Sequence, residues 1–331
     1  MSDHRSRTVV PVLTMLLLAT AWAPSLYSGA FRFSDSMGVD VVTHPRGYTG
    51  MGGILPVSIG IDPTSTHADA MVQPVLNIVD TINALVPSTG NLLSDAGVPG
   101  DSYDFESVAL HEVLHSLGLA HPNAGKESGL EGAERNYTRA TKGTNGWFDL
   151  NAGRDGVIGS GDDQRGDDVN LHWFRQSNNN PFTMAAIVDS TTYSRDAANL
   201  PAGHAFATNG DRTIGNLLGV VSTEAVMRQG AARGEAQRSL AHDDVATLRY
   251  AMSGLDELEG NQDDYTIELT YAGRTTSADI VLDFDNRVDF AGSHVNTILP
   301  LTDTHFSIHS SAVVLFNEDW PWFFSGGVQN P

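Results

Sequence analysis

The 331-residue chain contains no cysteine. That excludes disulfides, a lipid-modified N-terminal cysteine and any regulatory thiol. A chain of this length can bury a core large enough to do without cross-links. Basic residues are scarce, with 19 Lys and Arg against 40 Asp and Glu and a formal charge of −21. Such a surface argues against nucleic acid and anionic membranes as partners. Long apolar runs are missing with one exception, the 15 residues from Val9 to Ala23. That is short of the roughly 20 residues needed to span a bilayer. Arg5 and Arg7 precede the run and Ser28-Gly29-Ala30 offers a small-x-small cleavage pattern, so residues 1–30 are expected to be a signal peptide. An uncleaved anchor is the alternative. With the leader removed, 17 basic and 39 acidic residues remain. The expectation is a secreted, extracellular or periplasmic protein with no stable membrane insertion.

The densest chemistry lies between Phe105 and His121, F-E-S-V-A-L-H-E-V-L-H-S-L-G-L-A-H. At about 100° per residue, His111 and His115 fall about 40° apart on a helix, with Glu112 about 60° beyond. The opposite arc carries Phe105, Ala109, Val113, Leu114 and Leu117, an apolar stripe suited to burial. Asp104 is a natural N-cap, and Glu106 suits the positive first turn. Gly118 offers a left-handed stop that lets the chain bring His121 back toward the other two histidines. Three neutral imidazoles with a fourth position left open suit a catalytic zinc ion, and Glu112 beside them suits a general base. The competing interpretation is an amphipathic core helix that happens to carry histidines.

Around this stretch, 54–61 reads as a strand and about 67–86 as a helix, with Thr66 a candidate cap and Pro74 blurring its start. Residues 122–220 are polar, rich in glycine and asparagine, and without sustained periodicity. Within them, Asp149, Asn151, Asp155, Asp162 and Asp163 offer hard oxygen ligands for calcium. The twelfth position of that loop is Ser160, however, and no glutamate closes it, so a solvated acidic turn stays open as the alternative. His172 and His204 receive no role. A helix is expected from about Leu240 to Met252. Strands are expected at 265–271, 280–282, 306–308 and 313–316, with Trp320, Trp322 and Phe323 more suited to packing than to binding.

His111-Glu112-x-x-His115-x-x-Gly118-x-x-His121 resembles the signature of the metzincin zinc proteases, and its surroundings look most like the matrixin branch. The resemblance implies a methionine turn beneath the metal, for which Met227 in A-V-M is the match, and a following helix that L-A-H-D-D-V-A-T-L-R-Y-A resembles. Met184 and Met252 are weaker matches for the methionine. Thiol latency, in which a propeptide cysteine occupies the zinc, is excluded by composition. Three features depart from the family. The stretch between His121 and Met227 is 105 residues long. Only 18 residues, 87–104, are available for the strands that normally precede the zinc helix, including the edge strand that aligns a peptide. Pro122 follows the third histidine as in serralysins, yet Gln229 stands where that branch has tyrosine.

The expected architecture is α+β. Residues 31–258 form a metzincin-like domain with an insertion at about 122–220, and residues 259–331 a small all-β C-terminal domain, most simply a sandwich. The expected function is a secreted zinc endopeptidase acting on proteins or peptides. His111, His115 and His121 bind the metal, Glu112 is the general base and Met227 supports the site. The alternative is a non-proteolytic, calcium-stabilised surface-binding protein whose tail domain does the work. Glu112 favours the enzyme, because a binding protein needs no base beside its metal.

Overall fold

The computed structural model describes residues 31–33, 40–119, 150–151, 164–165, 174–175, 182–194, 212–217, 219–228 and 230–326. In chain order the elements begin β1 (Phe31–Phe33), β2 (Asp40–His44), β3 (Gly53–Ile61), α1 (Ala68–Ala84), β4 (Tyr103–Asp104) and α2 (Phe105–Ser116). The stretch 122–220 contributes β5 (Leu150–Asn151), β6 (Gln164–Arg165), β7 (Phe174–Arg175), β8 (Tyr193–Ser194) and α3 (Arg212–Leu217). The chain continues through α4 (His242–Met252), β9 (Tyr265–Arg274), β10 (Ile280–Phe284), β11 (Ala291–Val295), β12 (Ile298–Pro300), β13 (His305–Ile308), β14 (Ala312–Phe316) and β15 (Trp322–Phe323). The result is a mixture of helices with several sheets. Among the described residues no helix is long and apolar enough to cross a membrane.

The principal sheet has five strands in the order β11-β14-β10-β3-β9. Four run parallel and β11, at one edge, is antiparallel to β14. The expectation of a separate β-domain over 259–331 meets a different pairing here. β3, from the N-terminal part of the chain, lies between β9 and β10, so the tail strands and the strand at 53–61 share one sheet. Period-two alternation reveals that a strand has one buried face but not which strand it will pair with. The crossover from β9 to β10 needs only a short link because the two are staggered along β3. Tyr271 and Ile280 both sit level with Ile59. Gly60 permits the close passage, since a Cβ there would lie 2.7 Å from the Thr275 carbonyl oxygen. A second sheet, β1-β2-β13-β12, again joins the two ends of the chain. The weak pattern of residues 31–53 did not announce β2, and neither β11 nor β12 was expected.

The helices follow local chemistry closely. α1 keeps Pro74 inside and still buries Met71, Val75, Ile78 and Ile82 at helical spacing. It starts after His67, with no side-chain cap from Thr66. α2 begins where Asp104 accepts the Ser107 N–H at 3.0 Å, and the same carboxylate also takes the Arg238 guanidinium. Its apolar arc is fully buried, but so are Glu106, Glu112, His115 and Ser116. This helix therefore has no solvated face over most of its length: it packs against α1, β11 and β14. Gly118 closes it with φ +110°, and a Cβ there would meet the Thr43 carbonyl oxygen at 2.4 Å, so β2 itself demands glycine.

Candidate metal centre

The i, i+4 spacing on α2 sets the His111 and His115 rings nearly perpendicular, with centroids 4.7 Å apart. Each Nδ1 is committed to a backbone carbonyl: His111 to Val226 at 2.6 Å and His115 to Leu119 at 2.7 Å. A carbonyl can only accept, so each Nδ1 carries the proton and the Nε2 of each neutral ring is unprotonated. These two nitrogens face one another at 3.1 Å. Two acceptors cannot bond to each other; a cation between them turns the repulsion into attraction. Burial and the neighbouring His115 push His111 down to about 3, against the pull of the Val226 carbonyl, so His111 stays neutral at neutral pH. Two nitrogens bound at about 2.0–2.1 Å to a tetrahedral ion would stand about 3.3 Å apart. The pair fits zinc.

Glu112 lies beside the pair and is buried. One side of its carboxylate receives the backbone N–H of Ser293 in β11, while Oε2, also buried, has no partner among the described residues. Desolvation, only partly offset by the Ser293 N–H, pushes the carboxyl up to about 8. A buried orphan oxygen is costly, and a water or a cation at the two Nε2 atoms would relieve it.

The Val226 carbonyl is itself held from behind. Asp244, third residue of α4, is buried and accepts the N–H groups of Val226 at 2.8 Å, Met227 at 3.0 Å and Ala241 at 2.8 Å. The peptide unit between Val226 and Met227 thus donates to Asp244 on one side and accepts from His111 on the other. This is a carboxylate–peptide–imidazole chain, of the kind that fixes a ligand's tautomer and raises its basicity. Burial pushes Asp244 up to about 6, against these three N–H groups. Met227 is buried in the main core immediately beyond the carbonyl that holds His111. Met184 and Met252 pack against that core from partly buried positions.

Among the described residues no three His, Asp or Glu side chains converge as a metal-holding group. The third histidine of the motif, His121, lies outside them, as do residues 1–30, Asp149, Asp155, Asp162, Asp163, His172, His204 and Gln229. Asn151 is described through its backbone, paired with Gln164. The structure therefore brings together His111, His115, Glu112 and the Met227 turn. It adds the Val226 carbonyl, Asp244 and Ser293, which sequence reasoning missed. Asp244 is legible only as an acid in the first turn of α4, and Ser293 carries no signal. No family model, curated protein or solved structure matches this chain.

Proposed function

We propose that this chain is an exported zinc endopeptidase, a divergent member of the metzincin group on its matrixin side. His111, His115 and His121 would hold the ion. The observation that carries the proposal is the pair of unprotonated Nε2 atoms facing each other at 3.1 Å, each ring locked by a carbonyl at Nδ1, with the orphan Oε2 of Glu112 beside them. Zinc bound there would polarise a peptide carbonyl and acidify water. Glu112 takes a proton from the attacking water and returns it to the departing amine. The positive charge of a bound ion would hold the carboxylate ionised and able to accept that proton, against the burial that raises it.

Substrate alignment falls to β11. The Asn317 N–H donates to the Phe290 carbonyl, in register with β14, so by alternation residues 292 and 294 also bond toward β14. Ala291, Ser293 and Val295 turn their backbone groups the other way, as the Ser293 N–H on Glu112 requires. An extended peptide can add to this edge as a further strand, its main chain passing the base. The competing reading, a non-proteolytic, calcium-stabilised surface-binding protein, predicts zinc binding without hydrolysis.

The test is zinc analysis of the chain freed of residues 1–30, with casein hydrolysis by wild type and Glu112→Gln. Zinc should stay near one per chain in both, and hydrolysis should fall by about 10²–10⁴-fold in the variant. A zinc-loaded wild type that cleaves nothing in a broad protein panel defeats the proposal. Calcium on Asp149, Asn151, Asp155, Asp162 and Asp163 belongs to the same reading. Millimolar calcium should raise the melting temperature at constant zinc, and an unchanged melting curve removes it.

A further inference from the structure

β11 is a poor strand on its own terms. Its sequence is A-G-S-H-V, and only Val295 is fully buried. Glycine and small side chains specify register weakly, and a slip of one residue would swap the faces of the strand. Yet the edge must stand at one height over Glu112 if a peptide bonded to it is to be cut.

Ser293 touches α2 twice. Its N–H meets the Glu112 carboxylate, and its Oγ lies 2.8 Å from the Ser116 Oγ, one helical turn further on. Ser116 is buried and donates its own proton to the Glu112 carbonyl oxygen at 3.1 Å. The proton between the two hydroxyls therefore comes from Ser293. The contact joins residues 177 positions apart in the chain. Neither neighbour could replace it, since Gly292 has no side chain and the exposed His294 points to the opposite face.

We infer that the Ser293–Ser116 hydroxyl pair is a positioning clamp that sets the register of the substrate-aligning edge over the general base. The inference rests on the peptidase reading for its consequence but not for its physical test. Loss of either hydroxyl frees the strand to shift while leaving the imidazoles, whose Nδ1 partners lie elsewhere, in place.

Amide hydrogen exchange on the zinc-loaded chain tests the clamp without activity. In Ser116→Ala and Ser293→Ala, the amides of 292–294 should exchange at least about fivefold faster than in wild type, the loss expected from one hydrogen bond. Ser293→Thr, which keeps the hydroxyl, should restore the protection. Hydrolysis then reads the consequence. A ten-residue peptide taken from a casein cleavage site should lose about five- to tenfold in kcat/KM in either alanine variant, and no more in the double variant. In Ser116→Ala, a four-residue core of the same peptide, too short to lie along the edge, should be cut nearly as before. Unchanged exchange in both alanine variants overturns the clamp, as does an equal loss on long and short peptides. Failure of the wild type to cut either peptide defeats the peptidase reading instead, and the exchange data still decide the clamp.

Discussion

Among the described residues two histidine pairs stand at hydrogen-bonding distance, and their bonding separates them. His111 and His115 confront each other with two acceptors, because both Nδ1 protons are already donated to carbonyls. His44 and His305 stand as close, Nε2 to Nδ1 at 2.9 Å, in the second sheet. There the donors and acceptors alternate. Tyr265, whose hydroxyl burial pushes well above its ordinary value, keeps its proton and donates to His44 Nδ1 at 3.0 Å. His44 donates to His305, and His305 Nε2 donates to the Glu257 carboxylate at 3.3 Å, where the Tyr250 hydroxyl also ends. The chain closes on itself and asks for nothing further. Two histidines at hydrogen-bonding distance are thus no sign of a metal until the tautomers are worked out.

Zinc analysis breaks or sharpens this contrast most directly. His111→Ala or His115→Ala should remove most bound zinc, since three protein ligands leave little redundancy. His305→Ala should leave zinc per folded chain unchanged and lower the melting temperature instead. Zinc retained in the first pair, or lost in the second, would reverse the assignments. Asp244→Asn comes next. It weakens the hold on the Val226–Met227 peptide, and chelator competition should show zinc bound about 10–100-fold more weakly. An altered spectrum of the cobalt-substituted chain should accompany it, which lost stability alone would not produce.

For His305→Ala itself, the stability cost should be about 1–3 kcal/mol, because His44 and Glu257 each lose a buried partner. The smallest effect is the pH dependence of the same pair. Burial, then the neighbouring His305, holds His44 well below its ordinary 6.5. The unfolded chain therefore binds a proton near pH 6.5 that the folded chain refuses. That part of the stability is present above pH 6.5 and is lost as the pH falls, at no more than about 1.4 kcal/mol per unit. Stabilities of wild type and His44→Gln in zinc-free denaturation should stay a constant distance apart above pH 6.5 and draw together below it. Parallel curves across the range would show that His44 does not titrate in this way.

The sequence by itself determined the helix from Asp104 to Gly118. Its cap, its apolar arc and the placement of His111, Glu112 and His115 are all set by residues within four positions of one another, where 3.6-residue periodicity decides. α1, α4 and four of the tail strands were legible for the same local reason. Only the tertiary structure decided what those elements meet. The alternation of β9 and β10 is equally compatible with a sandwich of their own and with the sheet they share with β3. Ser293 reaches Ser116 across 177 residues, Tyr265 reaches His44 across 221 and His305 reaches it across 261. The Val226 carbonyl reaches His111 across 115 through a main-chain atom, which no residue type reports. Periodicity records which face of an element is buried; the partner on that face is chosen by packing the whole chain at once.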